Sequence, residues 1–289
     1  MTSRPDGALD FGTAALLGLV QGLTEFLPIS SKGHLVIVER LLGVHAEGVT
    51  LEVALHIGTL LAVVLYYWRD LWLIAVAVPG VVAALVRARL PADPIGRLFV
   101  ALALGTLPAV AVVLVAGDLV ESVFHAPRLA FAGFALTGFV LLTTRGRVAG
   151  RDDAGIRDGL LVGAAQAFAV LPGVSRSGTT IAAGVAAGLS REAAARFSFL
   201  LSIPAVLGAV VHELPDLLGS GGAGTGAAGA GAAAGGVAFG WPLVLGVAVS
   251  FVTGLAAIRI LLVVARRNRL DAFSWYLWAL AAAGFLFIR

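Results

Sequence analysis

"QGLTEFLPISSKGHL", residues Gln21 to Leu35, holds a carboxylate, two adjacent serines, the only lysine of the chain and a histidine within an otherwise apolar region. Pro28 and Gly33 interrupt the helical pattern there, because proline lacks the N–H that a helix interior needs and glycine weakens a helix. A second stretch, "LPGVSRSG" from Leu171 to Gly178, repeats the ingredients: a proline, serines, a cation and a glycine. Gln21 precedes the first proline by seven residues, and Gln166 precedes the second by six. The short apolar runs after each stretch, about 35–43 and 179–189, cannot span a bilayer alone, which takes about 20 residues. Each stretch therefore reads as the tip of a re-entrant hairpin or broken helix. Irregular backbone at membrane depth persists only where protein or a wet cavity surrounds it.

The rest of the chain supports a membrane setting. Its 289 residues are 59% hydrophobic and 13% charged, and the mean hydropathy is +0.98. Soluble domains carry about 25% charged residues. The chain reads as an all-α, polytopic integral membrane protein with roughly six to nine passes. Its high pI, about 9.9, does not point to nucleic acid, because the arginines lie in short loops between apolar runs, where orientation signals sit. There is no cysteine, so disulfide and thiolate chemistry are excluded. A cleavable signal peptide is not expected, since Asp6, Asp10, Glu25 and Pro28 break the pattern of one.

Each hairpin is followed by a Glu-containing helix start, "LEVALHIG" from Leu51 and "REAAARFSFLLSIP" from Arg191. This spacing predicts one membrane domain, 1–289, with two repeats of about 8–147 and 155–289. A flexible Gly/Ala outer loop is expected over 219–240. If 70–97 is a helix extension and loop, each repeat is a re-entrant helical hairpin plus three transmembrane helices. Three is odd, so the second repeat is inverted. One face then collects Arg69, Arg87, Arg89, Arg97, Arg145, Arg147, Arg151, Arg157, Arg191, Arg196, Arg266, Arg267 and Arg269. The other keeps Arg4, Arg40, Arg128 and Arg289. The positive-inside rule makes the rich face cytoplasmic and opens the first hairpin to the outer face.

Ionisable groups inside a membrane are costly, and they point to function. Arg176 offers a planar, permanently charged fork for phosphate oxygens. Ser175, Ser177, Gly178 and Thr179 surround it, with backbone N–H groups ahead of a helix expected near Thr179. Such a helix start is an anion site, and the loop ahead of Leu35 is another. Two facing anion sites suit a substrate with two phosphates. Ser31 lies three residues before His34, within reach of a base that would make its hydroxyl a nucleophile. Glu25 is suited either to orient His34 or to ligate a hard divalent cation. Gln21 shares its helical face. The blander readings make Glu25 and Arg176 a structural pair, Ser30 and Ser31 helix caps, and Lys32 a snorkelling cation. Glu52 and His56 read as packing or interfacial groups.

"GLTEFLPISSKGHL" and "LPGVSRSGTTI" resemble the two signature motifs of the undecaprenyl-diphosphate phosphatase family of the bacitracin-resistance type. The resemblance covers nearly the whole chain, including "FSFLLSIP" from Phe197 to Pro204. It implies a hydrolase of the bacterial inner membrane, working on its outer side. That enzyme removes the terminal phosphate of a polyprenyl diphosphate, recycling a lipid carrier for cell-wall synthesis. It implies a divalent cation, Mg or Ca, at Glu25. It also implies catalytic roles for Glu25, Ser31, His34 and Arg176, with Ser175 and Ser177 on phosphate. Gln21, Ser30 and Lys32 join them as expected substrate contacts. Gln21 stands where the family motif also admits an acid, and Lys32 replaces a small hydroxyl residue. The expected partners are the lipid and the bilayer, and a homodimer is compatible with both. The alternative is a transporter or flippase of a polyprenyl phosphate. An acid-phosphatase-type phosphohistidine route is excluded, because no histidine follows Arg176 before His212.

Overall fold

The computed structural model describes residues 9–43, 49–124, 127–146, 150–219 and 240–287, and nearly all of them are helical. The predicted outer loop therefore lies almost entirely outside the described residues. Helix α1 (Phe11–Phe26) begins at Asp10, whose carboxylate accepts from the N–H groups of Gly12 and Thr13 at 2.8 and 3.0 Å. It ends at Leu27, which is extended because Pro28 follows. Three residues after Leu27, Ser30 takes a left-handed φ of 70°, and α2 (Ser31–Leu42) starts at once. Helix α7 (Ile156–Phe168) and helix α8 (Arg176–Ala186) form the second hairpin. Its turn uses Gly173 at φ 73°, where a Cβ would lie 1.9 Å from the carbonyl oxygen of Ala130. Only glycine fits there.

Both second helices start earlier than the apolar pattern predicts. The expected starts were near Leu35 and Thr179, but the first turns are Ser31–His34 and Arg176–Thr179. Ser175 caps α8 by accepting from Gly178 N–H at 3.1 Å, so the helix opens one residue after the cap. Ser30 makes no side-chain capping bond; its backbone, and not its hydroxyl, turns the chain. Polar residues lower the apolar signal of a first turn without preventing it.

The other helices are α3 (Val49–Tyr66), α4 (Trp68–Val86), α5 (Pro94–Phe124), α6 (Pro127–Leu142), α9 (Arg191–Gly219), α10 (Trp241–Arg266) and α11 (Ala272–Phe287). Residues 70–97 are thus mainly a 19-residue helix of their own, which corrects the expected extension and loop. Among the described residues, four helices are long and apolar enough to cross a membrane: Trp68–Val86, Pro94–Gly117, Arg191–Val211 and Trp241–Arg266. Length alone does not place α4 across one. Near its start, Asp70 bonds Arg196 of α9. Eleven residues on, Val81 touches Gly96 in the first turn of α5. Pro94, Ile95 and Arg196 line one small cleft. Both points of α4 therefore lie on the same rim of the molecule, and α4 runs along that rim.

Each hairpin packs on a helix of the other half of the chain through small residues. Gly18 and Gly22 of α1 meet Gly246, Ser250 and Gly254 of α10, and a Cβ on Gly18 would lie 2.3 Å from Gly246 O. Gly159 and Gly163 of α7 meet Ala101 and Gly105 of α5 in the same way. Lipid tails are as apolar as leucine, so close backbone approach, and not hydrophobic burial, holds such seams. The outside is correspondingly apolar, with Trp72 65% and Phe287 83% exposed, while Gln21, Glu25, Ser175 and Thr180 are buried.

Candidate active site

Glu25, in the last turn of α1, is 8% exposed and is where the two hairpins meet. Its Oε1 accepts from Arg176 Nη2, across 151 positions of sequence. Its Oε2 accepts from Ser31 Oγ at 2.6 Å and from Gln21 Nε2 at 3.1 Å. The predicted convergence of Gln21, Glu25, Ser31 and Arg176 is therefore present. Breaking one side of such a buried pair is costly, about 3–5 kcal/mol, because the other charge stays behind. A second tie runs beside it, where Ser177 Oγ donates to Leu27 O at 3.1 Å.

Ser31 is bonded to Glu25 and not to His34, the base expected for it. His34 lies one turn further along α2 and faces elsewhere. Its Nδ1 donates to the Ser30 carbonyl at 2.8 Å, so that nitrogen carries the proton and Nε2 presents a lone pair. The Tyr276 hydroxyl of α11 donates to Nε2 at 2.6 Å. Its ring lies nearly parallel to the imidazole, 5.7 Å between centroids, and Phe134 closes another side at 5.3 Å. Tyr276 was missed by the motif reading. A tyrosine early in a span reads as an interfacial anchor, and it lies 242 positions from His34.

Two more groups, expected to be packing or interfacial residues, lie beside the carboxylate. His56 on α3 lies with Nε2 3.5 Å from Glu25 Oε2. Its Nδ1 is 2.7 Å from the carbonyl of Glu52. Both ring nitrogens thus face acceptors, an arrangement that suits the doubly protonated cation. Glu52, one turn earlier, pairs with Lys32 Nζ at 3.3 Å. Lys32 is half exposed and sits at the lip of the site. The available signal was the i, i+4 spacing of two ionisable groups on a membrane helix.

The second hairpin contributes rigidity more than chemistry. Ser175 is 1% exposed; its N–H donates to Thr137 Oγ1 at 3.0 Å, and its hydroxyl meets Ser177 Oγ at 3.2 Å. Thr179 donates back to the carbonyl of Ser175 at 2.9 Å, and Thr180 to that of Arg176 at 2.7 Å. Gly178 packs against Thr137, with little space beside it. Arg176 has capacity to spare, because its buried Nη1 has no hydrogen-bond partner among the described residues; the buried Gln166 amide of α7 is likewise without one.

The residues fit a hard divalent cation modestly. Gln21 Oε1 is buried beside Glu25 with no hydrogen-bond partner among the described residues, and both are oxygen donors. Among the described residues there is no cluster of three or more His, Cys, Asp or Glu placed to hold a metal. A magnesium that keeps its waters and binds substrate phosphates needs only one or two protein carboxylates.

Comparison with known proteins gives the family. The model of the family described as bacitracin resistance protein BacA matches residues 14–283. The chain is 38% identical over 277 residues to an undecaprenyl-diphosphatase of Rhodopirellula baltica, covering 94% of this chain and 95% of that one. It is 42% identical over 279 residues to an undecaprenyl-diphosphatase of Thermomicrobium roseum, covering 92% and 94%. A third relative, the undecaprenyl-diphosphatase of Geotalea daltonii, is 37% identical over 285 residues, covering 97% and 99%. Both polar hairpins fall inside these matches, and the chain belongs to the bacitracin resistance protein BacA family.

Proposed function

We propose that this protein hydrolyses undecaprenyl diphosphate to undecaprenyl phosphate and inorganic phosphate within a bacterial inner membrane. The observation that carries the reading is Glu25 held by Arg176 of the opposite hairpin on one oxygen and by Ser31 on the other. Hydrolysing a diphosphate needs a cation for developing charge, a nucleophile and a proton acceptor, and here the acceptor, Glu25, touches both of the others. The named activity of the relatives supports the same reaction.

The contacts suit a two-step route. Ser31 Oγ attacks the terminal phosphorus in line, and its proton passes to Glu25 Oε2, 2.6 Å away. The bond from that phosphorus to the bridging oxygen breaks, and undecaprenyl phosphate leaves with the electron pair. Arg176 Nη1, buried and without a hydrogen-bond partner among the described residues, holds the transferring phosphoryl oxygens. A water then cleaves the phosphoserine: Glu25 returns the first proton to Ser31 Oγ, and the water's proton passes to the Tyr276 hydroxyl as that hydroxyl gives its own to His34 Nε2. A divalent cation, magnesium or calcium, when held by Glu25 and the Gln21 carbonyl oxygen, neutralises phosphate charge. Direct attack by water is the competing route, and the short Ser31–Glu25 bond favours the serine.

The orientation belongs to the same proposal. Three arguments support inverted repeats: α4 runs along one rim, the other helices outside the hairpins divide evenly, with α3, α5 and α6 in one half and α9, α10 and α11 in the other, and the two hairpins make equivalent glycine seams. The arginine-rich rim is then cytoplasmic and the first hairpin opens outward. Phosphate release from undecaprenyl diphosphate by the purified chain tests the activity. Wild-type rates from Ser31→Ala would remove the serine route. Wild-type rates from Arg176→Ala would remove the whole reading in favour of a transporter.

A further inference from the structure

A cavity of about 560 Å³ opens on the arginine-rich rim, away from Glu25. Its walls are Arg145, just beyond α6, the Asn268–Arg269 joint between α10 and α11, and Asp271 and Trp275 at the start of α11. Asn268 turns the joint with a left-handed φ of 57°. Its N–H reaches Ala265 O at 3.1 Å, and that of Arg269 reaches Val264 O at 3.1 Å, so the wall is tightly built. Two arginines and one carboxylate thus line the cavity. That carboxylate is only loosely engaged, with Arg145 Nε 3.9 Å from Asp271 Oδ2 and the Arg145 side chain 75% exposed. Outside the lining, Arg191 is buried and donates to Thr144 O at 2.7 Å, next to Arg145 in sequence, so a third positive charge lies behind the cavity wall. Trp275 is 65% exposed, and an amphipathic ring of this kind settles at the headgroup level of a bilayer.

We propose that this cavity is a binding site for the phosphate headgroup of an anionic phospholipid of the inner leaflet. The placement rests on the cytoplasmic assignment of the rim given above. The volume suits a phosphate with its glycerol. Excess positive charge between helix ends at a cytoplasmic interface is what selects anionic over zwitterionic headgroups. Arginine forks bind phosphate oxygens in pairs, and Trp275 packs along the glycerol and first methylenes. The site shares no side chain with the Glu25 cluster, so its occupancy and hydrolysis are separately measurable.

The test is native mass spectrometry of the purified full chain in detergent, titrated with dioleoyl phosphatidylglycerol, dioleoyl phosphatidylcholine or inorganic phosphate. The expected result is preferential retention of phosphatidylglycerol, falling about tenfold in Arg145→Gln with Arg269→Gln. Arg145→Lys with Arg269→Lys, which keeps both charges, retains the preference, as does Arg87→Gln with Arg89→Gln elsewhere on the rim. An unchanged preference in the double glutamine variant overturns the proposal. So does an equal loss in Arg87→Gln with Arg89→Gln, which would reduce it to general rim charge. Binding of inorganic phosphate without phosphatidylglycerol would make it a free-anion site and overturn the lipid assignment. Phosphate release by the double glutamine variant serves as the folding control.

Discussion

The helices that follow the two hairpins begin with the same spacing and end in opposite uses. On α3, Glu52 and His56 turn inward, one to Lys32 and one to Glu25. On α9, Glu192 and Arg196 occupy the matching places in the first turns. They bind Arg266 and Asp70 at the rim. The first pair borders the buried carboxylate of the candidate site; the second clamps helix ends together. The hairpins diverge in the same sense. The first supplies Glu25, Ser31 and His34, whereas the second supplies Arg176 on a frame of self-bonded serines and threonines. The two hairpins thus converge on Glu25, with the carboxylate, hydroxyl and imidazole on one of them and the guanidinium on the other.

The sharpest way to break this comparison is to remove the group the halves share. Arg176→Ala is expected to lower the turnover number at least about 10³-fold, the scale of losing a main donor to developing charge. Arg176→Lys recovers only part, since a point charge replaces a fork. A steady-state phosphate-release assay reads both. Glu25→Gln keeps the shape but loses the proton acceptor, and about 10²–10³-fold is expected from the same assay. His56→Asn comes next. Turnover should fall about tenfold, with little change in KM, if His56 holds Glu25 in place; an unchanged rate would return His56 to packing. Tyr276→Phe leaves the ring stack and removes the hydroxyl, so a loss of about three- to tenfold is expected. Last, Glu192→Gln should leave hydrolysis at the wild-type rate, because its pair with Arg266 is exposed and far from substrate. A large loss there would mean that α9 carries chemistry after all.

The broad fold was legible because intramembrane polar residues are rare, and two breaks with matching chemistry stand out against leucine and alanine. Glu25 and Arg176 were readable for the same reason, as charges with nowhere else to go. The starts of α2 and α8 were misplaced because serine, lysine and arginine dilute an apolar pattern without stopping a helix. Helix α4 was hidden because periodicity does not tell a helix along a rim from one that crosses. Tyr276 was beyond reach, since its partner lies 242 positions away and no local spacing announces it. His56 was within reach and was discounted, although it and Glu52 lie one turn apart on a span beside the first hairpin.

Glu25 is also a resident anion. It takes one nitrogen of the Arg176 guanidinium, Nη2, and leaves Nη1 without a hydrogen-bond partner among the described residues. On the proposed reading, one half of the fork is a fixed clamp between the hairpins and the other half is the phosphate seat. An anion arriving there meets a cation whose charge the carboxylate already offsets in part. A stray chloride or a single inorganic phosphate is then held weakly, while a diphosphate on a membrane-anchored chain brings more charge and a high local concentration. The bond that closes the two hairpins thus also sets, on that reading, how strongly an anion is kept beside Ser31.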